Sequence, residues 1–243
     1  MCRVLAKWLP VLLAVAACSV HAGSLRVGPT LVYLDAKQPV AALRVTNNNT
    51  QITGFEVRAM AWRQADNQDV YGDTSELIVT PPVFELAPGD SQIVRAGLTN
   101  AKPAPTDVPE RAFRIFIAEL PAPTAQDDPR IQTLMRVGVP VFTRAYGEKT
   151  ALHWRLGRDA SGSSALQVSN AGNAHARILK VAVEHDGSVL DLELPGLYVL
   201  SNATREWQLP HSISPGEQVN LRVTSREGTH WMVLNPFIDG DRH

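Results

Sequence analysis

The chain has 243 residues, with 23 Lys+Arg against 24 Asp+Glu. So even a balance offers no basic field for a nucleic acid, and no apolar run beyond the N-terminal segment is long enough to cross a membrane. The length allows one or two domains.

The first residues read as a leader. Arg3 and Lys7 make a positive start, LPVLLAVAA is a short apolar stretch, and Val20-His21-Ala22 is a small-residue cleavage signal. This is a secretory signal peptide over 1–22, with the mature chain starting at Gly23. A rival reading places lipoprotein processing at Val15-Ala16-Ala17-Cys18, with Cys18 acylated. Both cysteines, Cys2 and Cys18, precede Ala22. The exported chain then has no disulfide and rests on its hydrophobic core, for which roughly 220 residues are enough.

From Ser24 the texture is all-β. LRVGPTLVYLD, AALRVTNNNT, ITGFEVRAMAWRQ, ELIVTPPVFELAPGD, SQIVRAGLTN and RAFRIFIAELP are short runs rich in Val, Ile, Leu and Phe. Turn residues separate them about every ten positions, the pattern of a sandwich. Asn47-Asn48-Asn49 and Ala87-Pro88-Gly89-Asp90 are turns, since Asn and Asp bond their own backbone, Gly accepts positive φ and Pro presets φ. No segment sustains an apolar period near 3.6 with caps, so no helix is expected. Proline-rich loops are expected at Lys102–Pro109 and Pro121–Pro129.

The second loop leads into Ile131–Arg144, IQTLMRVGVPVFTR, the strongest strand-like run mid-chain. Its odd row, Ile131, Thr133, Met135, Val137, Val139 and Val141, is almost wholly apolar, and residues two apart share a face. Pro140 removes a backbone donor, which places this strand at a sheet edge or at a bulge. An apolar edge invites strand addition by another chain; the plain alternative is an ordinary edge strand with a bulge at Pro140. The pattern pauses at Ala145-Tyr146-Gly147-Glu148 and resumes in shorter runs to the end, such as ALHWRLGRD, ALQVSNAG and ARILKVAVEHDG. The expected division is therefore 23–145 and 146–243, the second part being of ordinary domain size.

Catalytic patterns are missing from the sequence. It has no mature cysteine nucleophile, no GxSxG and no HExxH, and its histidines are scattered without metal-ligand spacing. Neither an enzyme nor a metal or other cofactor is expected. One cluster stands out, formed by Arg111, Arg114, Arg136 and Arg144.

At ELIVTPPVFELAPGDSQIVRAGL and ERAFRIFIAELP the chain resembles the PapD-like periplasmic chaperones of the chaperone–usher pathway. LRVGPTLVYLDAKQPVAALRVTNN fits the family's first two strands, and SNAG at 169–172 fits an Asn-rich turn of its second half. The resemblance implies two immunoglobulin-like β-sandwiches at an angle, with a cleft between them. It implies a periplasmic protein that caps pilus or fimbrial subunits, filling each subunit's apolar groove with the last strand of its first domain, and passes them to an outer-membrane usher. On that reading Ile131, Thr133, Met135 and Val137 enter the groove. The reading from another class is a secreted structural or adhesive sandwich of a surface appendage.

The resemblance is broken at two positions. Where the best-known branch carries basic residues that hold the subunit's C-terminal carboxylate, this chain has Leu31 and Pro140, which resembles the archaic or alternative branches. A carboxylate in a cleft needs a charge-assisted partner, and arginine's fork suits it. The strand from Arg111 should pair antiparallel with 131–144 and bring its arginines to the boundary. Arg111 shares the apolar row of Phe113, Ile115 and Ile117 and is the expected anchor, helped by Arg144 or Arg114. The alternative for Arg111 is a surface ion pair with Glu110 or Glu148, worth little.

Overall fold

A computed structural model describes residues 25–102, 108–121, 133–159, 161–185, 187–192, 198–209, 218–226 and 228–234. The leader, both cysteines, the centres of the two proline-rich loops and Ile131 lie outside the described residues.

The first ten strands are β1 (Leu25–Gly28), β2 (Val32–Leu34), β3 (Val40–Asn47), β4 (Thr53–Ala65), β5 (Gln68–Asp73), β6 (Leu77–Thr80), β7 (Val83–Leu86), β8 (Ser91–Leu98), β9 (Ala112–Glu119) and β10 (Arg136–Thr143). They form two sheets, ordered β1-β3-β8-β6 and β2-β10-β9-β4-β5, with β7 alongside β4. The rest are β11 (Leu152–Arg158), β12 (Ser164–Asn170), β13 (Ala176–His185), β14 (Ser188–Leu192), β15 (Tyr198–Val199), β16 (Thr204–Gln208), β17 (Val219–Ser225) and β18 (Gly228–Leu234). They form β11-β12-β16 and β14-β13-β17-β18, with β15 beside β13. No helix occurs among the described residues. The fold is all-β, two immunoglobulin-like sandwiches, each with its own core.

Period-two burial builds both cores. In β9 the odd residues Phe113, Ile115 and Ile117 are buried, and they pack with Val139 and Val141 of β10 against Leu43, Val45 and Val94 of the facing sheet. Leu166, Val168, Ile178, Val181, Leu221 and Val223 do the same in the second sandwich. Each sandwich also buries one asparagine at a strand end. Asn47 donates to the carbonyls of Gln51 and Leu86 and accepts from Asn49 N–H. Asn170 of the SNAG turn donates to the carbonyls of Ala174 and Val199 and accepts from the N–H of Ala151 and Gly172. A buried amide with all its groups bonded pins the loop around it.

A third, aromatic cluster joins the sandwiches: Trp62, Phe142, Leu200 and Ala203 are buried, with Tyr33, Tyr71 and Tyr198 around them. Polar pairs frame it. Gln64 Nε2 donates to Tyr198 O at 2.9 Å and its Oε1 accepts from Leu200 N–H at 3.0 Å. Asn67 bonds both backbone groups of Glu206. The Glu110 carboxylate accepts from the backbone N–H of His175 and lies 2.9 Å from its ring Nδ1, with both side chains almost fully buried. The His175 ring stacks on Phe142 at 3.6 Å.

The strand expected over 131–144 is regular from Arg136. Pro140 causes no bulge, because the β10–β9 register runs unbroken from Arg136↔Ala118 to Phe142↔Ala112. The odd residues make the ladder to β9: Thr143 N–H donates to Arg111 O, and Met135 O accepts from Glu119 N–H. In an antiparallel pair the backbone groups of alternate residues then point the other way. Pro140 is one of those, so its missing donor falls on the outer edge and no β9 bond is lost.

Candidate functional site

Two features meet on the outer part of β10. The first is its edge. β2 pairs with β10 only at Val141, Phe142 and Thr143. From Arg136 to Val139 no described strand covers that side. The N–H and carbonyl groups of Arg136 and Gly138 point outward there, while the odd residues stay bonded to β9 and the parallel register with β2 engages the carbonyl of Pro140. Thr133 and Met135 are exposed just before the strand, Val137 is half-buried against the first core, and Val139 and Val141 are fully inside. The odd row thus runs from core to surface without changing face.

The second feature is an arginine on the sheet face turned toward the second sandwich. Successive rows on that face are Phe142–Ala112, Pro140–Arg114–Met60, Gly138–Phe116–Arg58 and Arg136–Ala118–Glu56. The first row is buried in the aromatic junction, so Arg114 stands one row outside it, at the lip of the cleft. Its guanidinium lies 4.2 Å from the Trp62 ring centre and 5.9 Å from that of Tyr71. Tyr71 meets Phe116 edge-on at 5.0 Å, and Arg136 lies 3.8 Å over Phe116. Among the described residues no carboxylate forms an ion pair with Arg114, and its Nε is buried without a hydrogen-bond partner. Aromatic faces hold the cation in place without neutralising it. Burial holds the Tyr71 hydroxyl above its ordinary pKa, with the Arg114 cation pulling the other way.

The other arginines are placed differently. The row of Arg111 faces the interior of the first sandwich rather than the cleft, and Arg111 emerges beyond it to pair with Glu76. Its expected partners Glu110 and Glu148 are engaged elsewhere, with His175 and Arg144. Arg144 is half-exposed, 3.6 Å from Glu148 and 3.8 Å from Asp35, with its guanidinium over Tyr33. Leu31 packs against the aromatic cluster and Pro140 is buried. Sequence reasoning missed the floor of Trp62, Tyr71 and Phe116. The available signal was strand alternation, which sets Arg114, Ala112 and Phe116 on the face opposite the core row.

Residues 24–147 match the model of the pili and flagellar-assembly chaperones, PapD N-terminal domain. The chain belongs to this family. It is also 26% identical over 163 residues to the chaperone protein LpfB of Salmonella typhimurium, covering 66% of this chain and 63% of LpfB, just under two thirds of that relative. Among solved structures it resembles a chain of the CsuC–CsuE chaperone–tip adhesion subunit pre-assembly complex from archaic chaperone–usher Csu pili of Acinetobacter baumannii. That match has a TM-score of 0.67 at 20% identity, over 89% of this chain and 100% of that one. It likewise resembles a chain of the Salmonella enterica SafA pilin–SafB chaperone complex, with a TM-score of 0.59 at 21% identity, over 86% and 95%.

Proposed function

We propose that this chain is a periplasmic chaperone that caps pilus or fimbrial subunits by adding β10 to their incomplete sheets, and that it delivers them to an outer-membrane usher. The leader over 1–22 supplies export, and the units 23–145 and 146–243 frame the cleft. The observation that carries the reading is the open edge of β10, which has bonding groups facing out beside an arginine that has no counter-ion among the described residues. A subunit strand running along this edge meets the N–H of Arg136 and Gly138 and stops where Pro140 has none. Thr133, Met135 and Val137, with Ile131 ahead of them, fill alternate pockets of the subunit groove, each apolar side chain adding about 1.5–3 kcal/mol when buried. The subunit's C-terminal carboxylate reaches Arg114. Arg111 and Arg144 already face acidic partners and serve that role less well.

The similar structures, a chaperone with a tip adhesion subunit and a chaperone with a pilin, support this class of partner. The test is affinity purification of the tagged chain from periplasmic extract of its source organism. Wild-type protein should carry a pilin-like subunit, whereas Arg114→Ala should carry about ten-fold less or lower at an unchanged melting temperature. Equal subunit yield from that variant would reject Arg114 as the anchor, and no bound subunit with the wild type would reject the function.

A further inference from the structure

Gly138 sits on the cleft face opposite Phe116 and diagonal to Arg114. A Cβ built on it would stand 2.9 Å from Arg114 Cδ and 3.2 Å from a ring carbon of Phe116. The first distance is shorter than real side chains tolerate. No backbone atom is among these contacts, and the φ of Gly138 is not positive. The glycine is therefore not required by its own conformation. What it provides is room, and the atom that would have to leave is the flexible stem of Arg114, one bond short of the guanidinium group.

We infer that Gly138 is a positioning residue: its missing side chain is what lets Arg114 lie against Trp62 at the lip of the cleft, where an incoming carboxylate finds it. This inference rests on the proposed function only for its consequence in subunit binding; the placement of Arg114 stands by itself. A larger residue is relieved at least expense by swinging the arginine away, because Phe116 and the strand itself are fixed by the sheet and by Tyr71. Gly138→Ala therefore leaves the sandwich folded and disarms the site. The same glycine also leaves an N–H on the free edge next to Pro140, so the last backbone bond offered to a partner and the space for the anchoring cation come from one position.

The experiment uses Gly138→Ala, Arg114→Ala and the double variant in the full mature chain, each with two readouts. The first is the Nε–H resonance of Arg114 by nitrogen-15 NMR without any partner. A guanidinium over an indole face is shifted upfield by the ring current, and in Gly138→Ala that shift should be lost. The second is the amount of subunit recovered on co-expression with the subunit that the wild-type chain carries. It should fall in Gly138→Ala by about the factor seen for Arg114→Ala, and adding Gly138→Ala to Arg114→Ala should cause no further fall. Retention of the upfield shift in Gly138→Ala overturns the inference whatever the subunit does. A further fall in the double variant overturns it too, since the alanine would then act by direct collision or through folding. If the shift is lost while subunit recovery falls only in Arg114→Ala, Gly138 still places the guanidinium, but the claim that this placement serves subunit binding is overturned. If recovery is normal in both single variants, the anchor reading fails, and with it the consequence drawn here for Gly138.

Discussion

Arg114 differs from the other arginines in what does not touch it. Arg111 and Arg144 are drawn to carboxylates across exposed surface, where such pairs contribute little. Arg114 is held by Trp62 and Tyr71, a contact worth about 0.5–2 kcal/mol that leaves its charge available. Its field also reaches the hydroxyl of Tyr71. Burial raises that pKa and favours the neutral phenol in the fold, so the associated stability is present below the ordinary value and is lost as pH rises through the folded one. Arg114 opposes the shift. In Arg114→Ala the phenol of Tyr71 should titrate at higher pH than in the wild type, followed by alkaline absorbance titration against a Tyr71→Phe control; an unchanged or lower value would place the cation away from Tyr71. The arginine cluster was visible in the sequence, but which of its members faces the cleft was not. Arg111 looked central because its row is apolar, yet an apolar row in a sandwich faces the sandwich's own core. Facing the cleft is a property of the opposite row.

At the scale of the element, β10 and the residues just before it run from a part buried in the first core to a part that is exposed. Val139 is inside the first core, and Met135 on the same row is over a third exposed. An aspartate at Val139 would bury an unpaired carboxylate and should prevent folding or lower the melting temperature sharply. Met135→Asp should leave the melt within about 0.5 kcal/mol of wild type while greatly reducing subunit recovery. Equal subunit recovery from Met135→Asp at equal expression would remove that side chain from the interface. The odd apolar row and the proline were legible in the sequence, and together they pointed to an edge or a bulge. The sequence could not distinguish an edge from a bulge, because that depends on which neighbour each backbone group meets. The register with β9 decides it: Pro140 directs its missing donor outward.

For the whole molecule, the two sandwiches are fixed by an aromatic plug and a few buried polar pairs, so the cleft lip has a defined shape. The strand-rich texture of both sandwiches was readable from period-two runs and turn residues, though the order of strands in each sheet was not. The junction was not, since Trp62, Phe142, His175 and Tyr198 come from four separate runs and meet only through topology. His175 in particular reads in sequence as one scattered histidine. Removing the carboxylate beside it, Glu110→Ala, leaves the His175 N–H and ring nitrogen buried without their partner, which should cost about 1–3 kcal/mol in denaturant unfolding. A loss below about 0.5 kcal/mol would show that the pair does not help hold the sandwiches together.

The central claim is that the outer edge of β10 is open until a subunit strand closes it. Residue-resolved amide hydrogen exchange of the free chain and of its subunit complex tests this most directly. In the free chain the amides of Val137 and Val139, bonded to β9, should be protected, while those of Arg136 and Gly138 exchange fast; in the complex all four should be slow. Protection of Arg136 and Gly138 in the free chain, or fast exchange there in the complex, would contradict the account.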